Sequence, residues 1–132
     1  RIYTADRYLG IFEYDLRDNK YSFTSWPKGN PMSYVSSCHI YRNVMYLIAA
    51  FNQYFIASFD LKTREFQTNL IKMENLGQGH CSVLVGDQIH IMHGKENTAH
   101  FVYSIPNNTL KTVNPKMVDQ GITGVSALQY KD

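Results

Sequence analysis

The chain repeats itself about every 44 residues, and that period leaves few folds open. Phe59-Asp60-Leu61-Lys62-Thr63-Arg64-Glu65-Phe66 has a counterpart 45 residues earlier, Tyr14-Asp15-Leu16-Arg17-Asp18-Asn19-Lys20-Tyr21. A third copy lies 44 residues later, Tyr103-Ser104-Ile105-Pro106-Asn107-Asn108-Thr109-Leu110. Each reads aromatic, polar, aliphatic, a turn, then a large apolar residue. Tyr41-Arg42-Asn43-Val44-Met45-Tyr46 matches Val85-Gly86-Asp87-Gln88-Ile89-His90 at the same interval of 44. Ser37-Cys38-His39-Ile40, Cys81-Ser82-Val83-Leu84 and Val125-Ser126-Ala127-Leu128 are spaced likewise. A repeat of this length made of strands has the size of one four-stranded propeller blade.

Strands are what the local pattern calls for. No apolar stripe at helical spacing is sustained anywhere, whereas short alternating runs bounded by turn residues recur. The expected strands cover 37–41, 44–49, 54–60, 65–68, 81–85, 88–92, 99–105 and 109–113. Between them lie Arg42-Asn43, Lys62-Thr63-Arg64, Gly86-Asp87 and Pro106-Asn107-Asn108, rich in residues that tolerate the left-handed backbone of tight hairpins. Ten Tyr, seven Phe and one Trp fit half-buried strands, where flat rings pack well.

The ends of the chain extend the repeat. Tyr130-Lys131-Asp132 followed by Arg1-Ile2-Tyr3 reproduces Tyr41-Arg42-Asn43-Val44-Met45-Tyr46. The expected fold is therefore all-β: three antiparallel four-stranded blades over 37–80, 81–124, and 125–132 joined with 1–36. In the split blade the tail supplies the opening strand, which removes a free sheet edge. Three blades make a tighter ring than the roughly 4–8 of propellers. Two chains completing a six-bladed homodimer ring is the favoured assembly; a portion of a longer propeller and an open three-blade arc are the alternatives.

These residues resemble the Kelch repeat of galactose-oxidase-like propellers. Val44-Met45-Tyr46-Leu47-Ile48 and Ile89-His90-Ile91-Met92 look like its second strand, and Phe59-Asp60 and Tyr14-Asp15 like its aromatic-Asp step. Phe66, Leu110 and Tyr21 stand where the family carries Trp, and Ala49-Ala50 and His93-Gly94 stand where it carries a Gly pair. WD-type propellers (Gly79-His80 fits their opening) and plant F-box-associated repeats share fewer features. The resemblance implies a propeller whose inter-blade loops and second-to-third-strand loops share one face and hold peptide partners.

Composition narrows the function further. Thirteen Lys and Arg against eleven Asp and Glu leave a net charge of +2, too balanced for binding nucleic acid or a membrane surface by bulk electrostatics. The longest apolar runs are too short to span a bilayer. The chain opens at Arg1 without a signal peptide, which reads as an excised piece. Cys38 and Cys81 are 43 apart in a period of 44, so their side chains are expected on opposite sheet faces, unbonded, in a reducing intracellular (cytoplasmic) compartment. Asn107-Asn108-Thr109 is a glycosylation sequon, expected to be unused in that compartment.

Chemistry-bearing patterns are sparse. His90 and His93 are three apart on a strand and point to opposite faces, which does not suit a chelate. His39 and His90 occupy ordinary blade positions, and no metal or other cofactor is expected. There is no nucleophile elbow, phosphate loop or zinc-protease motif. Asp15 and Asp60 read as caps of the turns that follow them. Binding surfaces remain, on the loops that a rigid scaffold displays. The candidate binding residues are Arg7, Tyr8, Phe51, Gln53 and Tyr54, with Trp26 placed either there or against the next blade. The function expected is non-enzymatic binding of a protein or peptide partner; the alternative is a carbohydrate-binding or enzymatic propeller with its site at the channel mouth.

Overall fold

A computed structural model describes residues 1–6, 8–28, 35–49, 55–73, 79–92, 94, 99–114 and 126–131. The described chain is all-β, in three antiparallel sheets and no helix. The first sheet joins β1 (Ile2–Ala5), β2 (Gly10–Asp15) and β3 (Lys20–Ser25) in that order. The second runs β4 (Val35–Tyr41), β5 (Val44–Ala49), β6 (Phe55–Asp60) and β7 (Phe66–Lys72). The third runs β8 (Cys81–Val85), β9 (Gln88–Met92), β10 (His100–Ser104) and β11 (Thr109–Asn114). Each is a meander whose neighbours in sequence are neighbours in space, as the repeats require.

The turns explain the register. Arg42 and Asn43 both take positive φ, 48° and 64°, the geometry of a two-residue hairpin turn whose twist matches the strands. Asn19, Arg64 and Asn108 are also left-handed, and they occupy the same position of the three sequence copies. Asp15 Oδ1 accepts from the Arg17 and Asp18 amides, and Asp60 Oδ1 from those of Lys62 and Thr63. Both carboxylates therefore cap their turns, and these hydrogen bonds hold both pKa values below the ordinary range.

Two cores stack the sheets. Ile11 and Trp26 meet Met45, Leu47, Ala57 and Phe59 of the second sheet. The opposite face of that sheet brings Ile48, Ile56 and Met73 against Ile89, Ile91 and Tyr103 of the third. The second sheet is thus apolar on both faces, which is why its strands read as continuous rather than alternating hydrophobic runs. β7 runs to Lys72, past the expected 68, because Leu70 and Ile71 still pack on the second core. β4 of the second sheet approaches β8 of the third.

One expectation changes. Residues 126–131 form no strand and pair with none of the three sheets, and Leu128 is 89% exposed. The first sheet therefore has three described strands, with β1 at its edge, and no closed ring exists among the described residues. Cys38 and Cys81 are unbonded. Their strand partners place them on opposite sheet faces: Cys38 with Leu47 on the face turned to the first sheet, Cys81 with Met92 on the other.

Candidate functional site

Of the expected binding loops, the β1–β2 loop is described at residues 6, 8 and 9. Asp6 organises it: its Oδ1 accepts from the amides of Tyr8 (2.9 Å) and Leu9 (2.8 Å), and its own amide donates to the Gly10 carbonyl. Trp26 ties the loop from behind, with Nε1 donating to the Asp6 carbonyl at 2.9 Å and its amide to the Leu9 carbonyl. Held this way, Tyr8 stands 75% exposed and Leu9 55% exposed.

Trp26 itself goes to the other of its two expected places. It is 8% exposed, in the core, with its ring 5.3 Å from that of Phe66 in the second sheet. From the core it supports the loop. Arg7, Phe51, Gln53 and Tyr54 lie outside the described residues.

A polar cluster that the sequence did not announce lies where β4 meets β8. Ser82 Oγ sits 2.6 Å from His39 Nε2 and 2.5 Å from Ser37 Oγ, and Ser37 Oγ is 3.5 Å from His80 Nε2. Burial lowers the His39 pKa, so the ring is neutral at pH 7. A serine and a neutral histidine in contact are the first two parts of a nucleophile pair. Among the described residues no carboxylate hydrogen-bonds His39 to orient it, and Ser82 is buried. The cluster ties the second sheet to the third at the rim. The signal was available: Ser37 and His39 share one strand face, Ser82 lies on the opposing face of β8, and the packing of the second sheet on the third brings those faces together.

His90 and His100 form a second unforeseen pair, Nδ1 to Nε2 at 3.0 Å across β9 and β10. Burial, then the neighbouring His90, lowers the His100 pKa. Among the described residues no three His, Cys, Asp or Glu side chains gather closely enough to hold a metal ion.

At the opposite end from the Tyr8 loop, a cleft of about 550 Å³ opens between the second and third sheets. Tyr46, Ser58, Glu65 and Gln67 line one wall, and Tyr103 and Asn108 the other. Tyr103 Oη donates to Asn108 Oδ1 at 2.8 Å, and Asn108 Nδ2 to the Leu70 carbonyl at 3.0 Å. Burial, then the neighbouring Tyr46, pushes the Tyr103 phenol up to about 12, so it remains a neutral hydroxyl.

No family model matches the chain, and no curated protein matches it.

Proposed function

We propose that this chain is a non-enzymatic interaction module, a Kelch-like propeller portion that presents loop residues to a protein or peptide partner inside the cell. The observation that carries this reading is the β1–β2 loop, where Asp6 and Trp26 fix the backbone while Tyr8 and Leu9 face solvent. An aromatic held in place before binding loses little freedom on association, and tyrosine is among the residues that dominate interface energies. Arg7 adjoins Tyr8 in sequence, and Phe51, Gln53 and Tyr54 occupy the corresponding connection one repeat later. Two unbonded thiols are consistent with a reducing compartment.

In the same reading two copies complete a six-bladed ring, residues 126–131 of one adding the missing strand to the open edge of β1 in the other. Repeat positions support it. Phe59 with Phe66, and Tyr103 with Leu110, sit on the face each sheet turns to the one before it, Phe59 and Tyr103 buried and Phe66 and Leu110 half-buried. Tyr14 and Tyr21 are the matching pair of the first sheet, rings 4.6 Å apart, yet Tyr21 is 76% exposed. An exposed aromatic sheet face marks an interaction surface.

Selection of a random peptide library against the protein tests the binding reading. The selected peptides are expected to lose about tenfold or more in affinity to Tyr8→Ala, at unchanged melting temperature. Peptides that bind Tyr8→Ala as well as the parent would contradict it. So would a sugar or metal ion that raises the melting temperature with its concentration while no peptide is selected.

A further inference from the structure

The two junctions between sheets carry the same positions with opposite outcomes at their turn end. Between the first and second sheets, Glu13 on β2 is 4% exposed and takes Arg64 from the turn after β6. Arg1 Nη1 lies 2.8 Å from the same carboxylate, Tyr3 Oη donates to it at 3.3 Å, and the Arg64 guanidinium carbon lies 6.0 Å from the Phe59 ring centroid. Side chains fill that junction. One sheet on, the repeat puts Val44 for Arg1, Tyr46 for Tyr3, Ser58 for Glu13, Tyr103 for Phe59 and Asn108 for Arg64. Three of the five are shorter, and Asn108, bonded to Tyr103, reaches the second sheet only at the Leu70 carbonyl of β7, leaving open the cleft that Tyr46, Ser58 and Tyr103 line. The cleft is the space the missing arginine would occupy.

Its charge is one-sided. Asp60 and Glu65 line it, and among the described residues lining it there is no Lys, Arg or His. Tyr46 and Tyr103, ring centroids 6.2 Å apart, supply aromatic surface, while Ser58, Gln67 and Asn108 supply neutral hydrogen-bonding groups. Aromatic rings and carboxylates together favour a planar cation with several donors. The size lies within the roughly 300–1,000 Å³ of small-ligand sites, room for a side chain and its flanking backbone.

We infer that the cleft between the second and third sheets binds an arginine side chain offered by a partner peptide, in the place that Arg64 takes at the sibling junction. Its guanidinium lies against Tyr46 with Tyr103 beneath and the Asp60 and Glu65 carboxylates at the rim. This site is at the end of the sheets opposite the Tyr8 loop, so it stands or falls apart from that loop's role.

Titration with acetyl-Gly-Arg-Gly-amide, followed by NMR of the tyrosine rings, tests the inference. The Arg peptide is expected to shift the Tyr46 and Tyr103 signals and saturate in the millimolar range, as one anchored side chain would. The same peptide with citrulline, of the same shape but uncharged, is expected to leave them in place. Glu65→Gln, an exposed substitution, should weaken the Arg peptide about threefold or more. Asn108→Arg, which refills the cleft, should abolish its binding, while Tyr8→Ala should change nothing. Equal shifts with arginine and citrulline, unchanged affinity in both Glu65→Gln and Asn108→Arg, or no shift of either tyrosine would overturn it.

Discussion

Arg64 crosses from the turn after β6 to the carboxylate of Glu13 on β2, joining two sheets whose sequences are copies of one another. Burial works against the charged form of Glu13, and the Arg64 hydrogen bond and charge, with Arg1, overcome it and leave its pKa below the ordinary 4.5. A carboxylate depressed in the fold stabilises it above its unfolded pKa, and that contribution declines as pH falls through the folded value.

Glu13→Gln should therefore lower stability by about 1.5–3 kcal/mol near neutral pH, the cost of losing a charged partner in a semi-buried network. Its melting temperature should converge on that of the parent as pH falls below 4.5, where the parent loses the same charge. Thermal melts of both proteins across that range check it; a constant gap would contradict the assignment.

The histidines add a second window at higher pH. Burial lowers the pKa of His39 and of His100, the latter also under the charge of His90, from an ordinary 6.5. The folded chain then binds fewer protons than the unfolded one, so stability rises with pH across this window and is lost as pH falls below 6.5. Melting temperature should drop from about pH 8 to about pH 5. His39→Gln and His100→Gln should each flatten that slope, and a slope unchanged in both would contradict it.

Gly10 and Gly86 separate close approach from simple turn strain. Gly10 has φ +147°, and a Cβ there would lie 2.0 Å from the Thr24 carbonyl oxygen, a backbone atom that no side-chain movement relieves. Gly86 has φ +62° and no atom within 4 Å of such a Cβ. Gly10→Ala should cost about 3 kcal/mol or more, and Gly86→Ala about 1 kcal/mol. Chemical denaturation of the two variants measures the difference, and equal losses would contradict it.

What could be read from the sequence follows from how each feature is encoded. Strands 44–49, 81–85 and 88–92 end where Arg42-Asn43 and Gly86-Asp87 force hairpins, because turn chemistry is local. The caps at Asp15 and Asp60 were legible for the same reason. The Ser82–His39 contact, the His90–His100 pair and the Glu13–Arg64 bridge were not, because each depends on which strand faces are brought together. The sequence around Trp26 suits either loop or core, and the Phe66 ring and the Asp6 carbonyl decide for the core. The tail matches the opening strand of a repeat in sequence, but strand pairing needs a partner edge, and residues 126–131 belong to none of the three described sheets.

The mass of the protein in solution tests the assembly most directly. Sedimentation equilibrium should give about twice the 15.3 kDa of one chain, as a tail exchanged between two copies requires. Leu128→Asp, charging the exchanged segment, should return the mass to that of a single chain with the fold intact. A parent protein that sediments as one chain, or a dimer indifferent to Leu128→Asp, would contradict the shared strand.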